Sequence, residues 1–198
     1  MITPDRWNEK PCDVDFQIAD PSFMACFIWI AILTLAAIVG TFALSCVTPF
    51  AALAVALAGT VGLRASLRVM LAVWLANQVI GFGFFHFPLT TNTILFGVAI
   101  GAAAIVTTIL ASVVLKYMSF RAAPLRLGVA LLVSFAAYET TLLPAGTFFG
   151  DLETFRPAIV AQLGFINAVA LAGMVVLNEV AAVLCRPWLG RIPRLVRS

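Results

Sequence analysis

The sequence contains few of the residues, such as histidine and the charged amino acids, that form metal centres and catalytic sites. Only 11% of the residues are charged, and His86 is the single histidine among 198 residues. A structural zinc ion needs four protein ligands, and a haem held on both faces usually needs a second strong ligand. One histidine alone cannot build either kind of site, although it can still offer one contact to a metal group that brings its own equatorial ligands.

Cysteine is also scarce, and the four cysteines stand far apart, with no Cys-x-x-Cys pair among them. Neither a disulfide framework nor a zinc site is predicted from such spacing, and the thiols are interpreted as small apolar side chains. A Gly-Lys-Ser/Thr phosphate loop is absent as well. Any step driven by ATP would then depend on another subunit, and the chain is predicted not to be an enzyme.

Apolar residues are what the chain has in abundance. They make up 63% of the sequence, and the mean hydropathy is +1.08, which is typical of an integral membrane protein. Apolar segments near the length needed to cross a bilayer, about 17 to 25 residues, occur six times. They are Phe23–Val47, Pro49–Leu63, Leu67–Phe85, Asn92–Leu115, Pro124–Leu143 and Ala158–Cys185. The second is short, and we expect it to be tilted or partly re-entrant.

These segments predict an all-α, polytopic membrane protein with six transmembrane helices in one bundle. The bundle is expected to occupy residues 23–185, between an N-terminal segment, 1–22, and a basic tail, 186–198. Eleven of the twelve lysines and arginines fall on one predicted side, and Arg156 alone falls on the other. The positive-inside rule then places both termini in the cytoplasm. Because the basic residues are spread over separate loops, no nucleic-acid site is predicted.

Polar residues inside the spans are costly in lipid, so each must find a partner or line a cavity. Asn77 and Gln78 fall near the middle of the third span, and His86 falls at its outer end. Tyr138 and Glu139 fall about one turn inside the outer end of the fifth span. All of these positions lie in the middle or the outer half of the membrane, which predicts a cavity open to the outside.

Two predicted outer loops, residues 84–91 and 144–156, combine phenylalanines with a few polar groups. Flat aromatic surface of this kind suits a large, partly apolar ligand. An aromatic belt at the lipid headgroups is the alternative, and it stays open, although such belts are normally built of Trp and Tyr. The predicted ligand-binding residues are Asn77, Gln78, Phe82, Phe85, His86, Phe87, Thr91, Asn92, Tyr138, Glu139 and Phe148.

Small residues recur at four-residue spacing in three of the spans. The patterns are Ala36-xxx-Gly40, Gly97-xxx-Gly101 and Ala168-xxx-Ala172. Such pairs allow close approach of helices, and we expect packing within the bundle, with docking to a partner as the alternative.

The residues Trp74-Leu75-Ala76-Asn77-Gln78-Val79-Ile80-Gly81-Phe82, followed by Phe87-Pro88 and Asn92-Thr93, resemble the BtuM-type vitamin B12 members of the energy-coupling-factor (ECF) transporters. Those proteins are the membrane-embedded substrate-binding (S) components. The resemblance covers about a tenth of the chain. It implies a multi-pass protein of the bacterial cytoplasmic membrane that captures cobalamin from the outer face. It also implies a partner, an ECF membrane subunit with two ATPases, although some members work without a dedicated one.

In the BtuM-type proteins the protein ligand to cobalt is typically a cysteine, and this chain has none in the matching region. His86 is the available substitute, since imidazole is a sound cobalt ligand and a corrin supplies four equatorial nitrogens itself. Removal of an upper cyanide ligand by a thiolate is therefore not expected. On this interpretation cobalamin is the transported ligand, and the protein has no cofactor of its own.

Three other functions remain open. The same fold with another vitamin as cargo is one, and an accessory or structural subunit of a larger membrane complex is another. An intramembrane enzyme is the third, with His86 paired to Ser45 or Ser134, but these serines belong to no motif.

Overall fold

The computed structural model describes residues 27–35, 48–118, 122–149, 155–184 and 195. Residues 27–35 are helical and are called α1. The other helices are α2 (Phe50–Thr60), α3 (Leu63–Val79) with a π-helical turn (Ile80–Phe84), α4 (Thr91–Tyr117), α5 (Ala123–Phe149) and α6 (Pro157–Leu184). No β-strand occurs within these ranges, and the predicted all-α class is confirmed.

Four helices are long and apolar enough to cross a membrane, which confirms the prediction of a multi-pass membrane protein. They are Leu63–Phe84, Thr91–Tyr117, Ala123–Phe148 and Pro157–Ala181. Of the first predicted span, only residues 27–35 are described, so the count of six spans stays a prediction. The segment 1–22 lies outside the described residues, and the predicted location of both termini is likewise untested.

The short helix α2 forms the centre of the bundle. Its residues from Phe50 to Leu57 are no more than 3% exposed, and α3, α4, α5 and α6 all pack on it. A helix that is apolar all round is expected to be buried in this way. Eleven residues at about 1.5 Å each span about 16 Å, roughly half of the hydrocarbon layer. The predicted segment Pro49–Leu63 is therefore too long, because the backbone is already extended at Val61.

The antiparallel packing of α3 and α4 depends on two glycines. The indole Nε1 of Trp74 donates a hydrogen bond of 2.9 Å to the carbonyl oxygen of Gly97. A Cβ atom on Gly101 would lie 2.6 Å from the Trp74 ring, and one on Gly97 would lie 2.5 Å from Gln78 Oε1. The Gly97-xxx-Gly101 pair packs within the bundle, as predicted.

The other two small-residue pairs do not support that prediction. Ala168 and Ala172 are exposed on α6, so this pair does not pack inside the bundle. The pair Ala36-xxx-Gly40 lies outside the described residues.

The helix α5 continues beyond its predicted end. Residues 144–149 were expected to open an outer loop, but α5 runs through Pro144 to Phe149. Proline at this position removes a backbone N–H, which usually kinks or ends a helix. Thr140 and Thr141 in the turn before it donate hydrogen bonds to the carbonyls of Ala136 and Ala137, a pattern that often bends a helix without ending it.

Basic residues of α3, α4 and α5 lie at the same end of the bundle. Arg64 and Arg68 lie at the beginning of α3, Lys116 lies at the end of α4, and Arg126 lies in the first turn of α5. These four residues share one end, which we call the basic end. The turn that contains His86 lies at the opposite end, which we call the His86 end.

Candidate functional site

The π-helical turn Ile80–Phe84 continues α3, and the chain reverses direction after it, before α4 begins at Thr91. The backbone N–H of Phe85 donates to the Ile80 carbonyl at 3.0 Å, and the N–H of Phe87 donates to the Gly81 carbonyl at 3.1 Å. Gly81 is needed here, because a Cβ atom would lie only 3.0 Å from the Phe87 ring. The turn therefore folds Phe87 back on the end of the helix and presents His86 at the tip.

His86 has an unusual backbone and a defined ring orientation. Its φ of 54° is the only positive value at a non-glycine residue among those described. Such a conformation costs about 1–3 kcal/mol, although histidine tolerates it better than most residues. The ring Nδ1 lies 2.9 Å from the carbonyl oxygen of Phe84. Because a carbonyl only accepts, Nδ1 carries the hydrogen, and the neutral ring has its lone pair on Nε2.

This arrangement is typical of histidines that bind metals. They usually donate the other ring N–H to a backbone carbonyl or a carboxylate, which fixes the tautomer and the ring orientation. The His86 side chain is exposed, and within the described residues only its Nδ1 is hydrogen-bonded. Nε2 can therefore give one nitrogen donor to an approaching metal.

Phenylalanines form an exposed apolar surface around His86. The rings of Phe84 and Phe85 meet edge to face with centroids 6.2 Å apart, and those of Phe85 and Phe87 stack at 6.2 Å. Phe84 is 70% exposed and Phe148, at the end of α5, is 86% exposed, whereas Phe82 is half-buried. We call Phe84, Phe85 and Phe87 the phenylalanine cluster.

Two of the buried asparagines hold the beginning of α2. Thr48 Oγ1 donates to Asn77 Oδ1 at 2.9 Å, and the backbone N–H of Ala52 donates to Asn167 Oδ1 at 3.0 Å. The first N–H groups of a helix have no partner within it, and the N-cap residue, Pro49, provides no side-chain acceptor. Asn167 therefore caps α2 from another helix, and Asn77 accepts an internal hydrogen bond at Oδ1.

Tyr138 also packs at the beginning of α2. Its ring stacks on Phe50 with centroids 6.0 Å apart and an interplanar angle of 28°. Glu139, the next residue, is half-buried, and no described residue forms a hydrogen bond with its carboxyl group. Asn77, Tyr138 and Asn167 thus all contact residues at or just before the beginning of α2, close to the end of α3, and we call them the inner group.

The remaining predicted residues have different surroundings. Gln78 packs against Gly97 of α4, which is a cross-link between helices. Thr91 and Asn92 are exposed in the first turn of α4. The N-cap of that helix is Thr90, whose Oγ1 accepts a hydrogen bond of 3.3 Å from the Thr93 N–H.

The predicted site residues therefore lie at two different depths in the bundle. The inner group lies at the beginning of α2, and the phenylalanine cluster lies beyond the end of α3. The residues from Asn77 to Phe84 separate the two by about 10 Å. Thr48 and Asn167 were not predicted as site residues. Neither contact has a signal in the sequence, because the partners of Thr48 and Asn167 lie 29 and 115 residues away along the chain.

No protein-only metal centre is present in the described part of the chain. No group of three or more His, Cys, Asp or Glu residues there is arranged to hold a metal ion. His86 is consequently a single donor, and a metal bound to it would need most of its ligands from elsewhere.

Comparisons with known proteins leave the family open. No protein-family model matches the chain, and no curated protein and no solved structure matches it either. The likeness to the BtuM-type S components therefore depends on the residues around Asn77 and on the order of the apolar segments.

Proposed function

We propose that this chain is the membrane-embedded substrate-binding component of an uptake system for cobalamin or a related corrinoid. The observation that carries the proposal is the setting of His86. Its Nδ1 is bonded to the Phe84 carbonyl, and Nε2 points from an exposed ring at one end of the bundle. In the proposed complex Nε2 is the axial ligand to cobalt.

The surroundings of His86 suit a ligand of this kind. A corrin supplies four equatorial nitrogens, so one protein donor is enough, and His86 offers one. The phenylalanine cluster provides flat apolar surface beside the imidazole, as expected for a large ring system. The depth between this cluster and the inner group favours a large ligand over a small one, because a small ligand cannot contact both.

The proposal includes the partners that transport requires. The chain has no phosphate loop, so the energy is supplied by an ECF membrane subunit with two ATPases. The protein lies in the bacterial cytoplasmic membrane, with six spans and both termini in the cytoplasm. Of the four long helices, α6 is the least buried, with 17% of its apolar window inside the bundle. Its outer face therefore offers the most surface to lipid or to this partner.

A spectroscopic titration tests the cargo and the ligand together. The detergent-purified full chain is titrated with aquacobalamin, beside His86→Ala and the control Leu89→Ala. Leu89 is 77% exposed in the same turn and has no donor atom in its side chain. We expect a saturable shift of the visible spectrum in the unaltered chain and in Leu89→Ala, and its loss in His86→Ala.

Two other results would change the proposal. Corrinoid binding that survives His86→Ala with the same spectrum would keep the cargo and remove His86 from cobalt. If the unaltered chain binds no corrinoid, the cargo is wrong.

The inner group favours a second candidate, in which the same fold carries a smaller vitamin. Tyr138 and Glu139 are half-buried beside the beginning of α2, and the Glu139 carboxyl group has no hydrogen bond from the described residues. A small polar ligand at this depth would contact both side chains. Mass spectrometry of the ligand that the purified chain retains separates the two candidates, since a corrinoid and a smaller vitamin differ widely in mass.

A further inference from the structure

A cavity lies at the basic end of the bundle, far from His86. It has a volume of about 220 Å³ and is lined by residues at the end of α2, the end of α4 and the beginning of α5, and by Leu195. Leu195 is held in this wall, since it is only 1% exposed and its backbone N–H donates to Asn178 Oδ1 at 2.8 Å. The packed ends of α2, α4 and α5 thus form a pocket together with Leu195.

The charges that line this cavity are all positive. Lys116 and Arg126 are both lining residues, and no acidic side chain is among the described residues of the wall. Lys116 Nζ lies 5.5 Å from the centre of the Tyr117 ring, a contact that stabilises a cation without neutralising it. The cavity therefore holds two positive charges that the described residues of its wall do not balance.

Arg126 is the residue of this wall with an unsatisfied buried donor. Its Nε atom is enclosed by protein and has no hydrogen-bond acceptor among the described residues. A guanidinium group stays protonated in proteins, and buried N–H donors are normally bonded. Arg126 also lies in the first turn of α5, where the helix dipole adds positive potential. An oxyanion in the cavity would supply acceptors to the guanidinium and balance its charge.

The rest of the wall is apolar. Leu115, Leu127 and Leu195 line it together with Gly59, and the hydroxyl of Ser112 already donates to the Thr108 carbonyl at 2.9 Å. An anion in this cavity would therefore be bound by the two cations, beside an apolar wall of leucines.

We propose that this cavity binds a phosphate group through Arg126 and Lys116. A guanidinium presents parallel N–H donors that match phosphate oxygens, and an ammonium adds a point charge. The phosphate belongs either to a soluble ion or to the headgroup of an anionic phospholipid, and the recognition chemistry is the same in both cases. This site is independent of the proposed cobalamin function, because it lies at the other end of the bundle.

Thermal unfolding of the full chain tests the site. The protein in detergent is heated with sodium phosphate or with sodium chloride at equal ionic strength. In parallel, it is heated in nanodiscs of phosphatidylglycerol or of phosphatidylcholine. The variants are Arg126→Gln and Lys116→Gln, and Arg68→Gln is the matched control, since Arg68 is an exposed arginine at the same end outside the cavity.

We expect phosphate, phosphatidylglycerol or both to raise the unfolding temperature of the unaltered chain and of Arg68→Gln. The apparent affinity should fall about tenfold or more in Arg126→Gln, as expected for loss of charged hydrogen bonds. A response to phosphate identifies a soluble ligand, and a response to phosphatidylglycerol alone identifies a lipid. The proposal is overturned if neither probe raises the unfolding temperature, or if both cavity variants respond as strongly as Arg68→Gln. If Arg126→Gln does not fold, the comparison uses Lys116→Gln and Arg126→Lys.

Discussion

His86 shows how the backbone of one residue can set the chemistry of its side chain. The positive φ turns the imidazole back toward the preceding residues, where Nδ1 meets the Phe84 carbonyl. That bond leaves Nε2 with the lone pair. Sequence reasoning found this residue because it is the only histidine, but neither the left-handed backbone nor the tautomer can be read from composition, since both depend on how the turn closes on Gly81.

The backbone of His86 predicts that two substitutions will differ in stability although both remove the imidazole. His86→Gly relieves the left-handed conformation, and His86→Ala retains it, so the glycine variant should be more stable by about 1 kcal/mol. Chemical unfolding in detergent, followed by circular dichroism, measures the difference.

Corrinoid binding by the same two variants distinguishes the backbone strain at His86 from its proposed role as a cobalt ligand. Both variants lack the nitrogen donor, and we expect both to lose the corrinoid spectrum. An alanine variant at least as stable as the glycine variant would contradict the assigned backbone.

Among the helices, the long apolar segments were predicted closely and the irregular ones were not. The third span was expected at Leu67–Phe85, and the structure has helix from Leu63 to Phe84. The fifth was expected to end at Leu143, before a proline, yet α5 continues through Pro144 to Phe149. Contacts such as that of Asn167 with Ala52, 115 residues apart, have no signature in a single sequence.

The contact between α3 and α4 predicts an order among three glycine substitutions. Gly101→Ala places a Cβ atom 2.6 Å from the rigid indole of Trp74, so it should cost about 1–3 kcal/mol. Gly97→Ala meets the movable end of Gln78 and should cost less. At Gly173 nothing lies within 4 Å, and alanine there should be neutral or stabilising by up to about 1 kcal/mol.

Thermal unfolding of the three variants in the same detergent gives this order. If Gly101→Ala and Gly173→Ala unfold at the same temperature, the close approach of α3 and α4 is wrong.

The whole molecule is built around a helix that is too short to cross the membrane. The long helices pack on α2 with their inner faces and leave most of their outer surface to lipid, between 17% and 33% of their apolar windows being buried. At the basic end the core also includes Leu195, which packs against Gly59. Hydropathy predicted the membrane class, but it could not predict that Leu195 belongs to the core, since the residues around it are charged.

The burial of Leu195 predicts that its side chain stabilises the bundle. Leu195→Ala removes a side chain that is 1% exposed, and we expect a loss of about 2–3 kcal/mol. Leu132→Ala is the control, because Leu132 is 70% exposed on α5 and should cost less than about 1 kcal/mol. Denaturant unfolding of both variants provides the comparison, and equal losses would place Leu195 outside the core.

The hydrogen bond from Trp74 to Gly97 gives the protein an internal optical reporter. Indole fluorescence shifts when its N–H exchanges a carbonyl partner for a less polar or more mobile environment, and Trp74 is held at the contact between α3 and α4. A movement that separates these two helices would break this bond. Trp74 is one of four tryptophans, so in a variant with phenylalanine at the other three positions its emission can follow the α3–α4 contact without an attached dye.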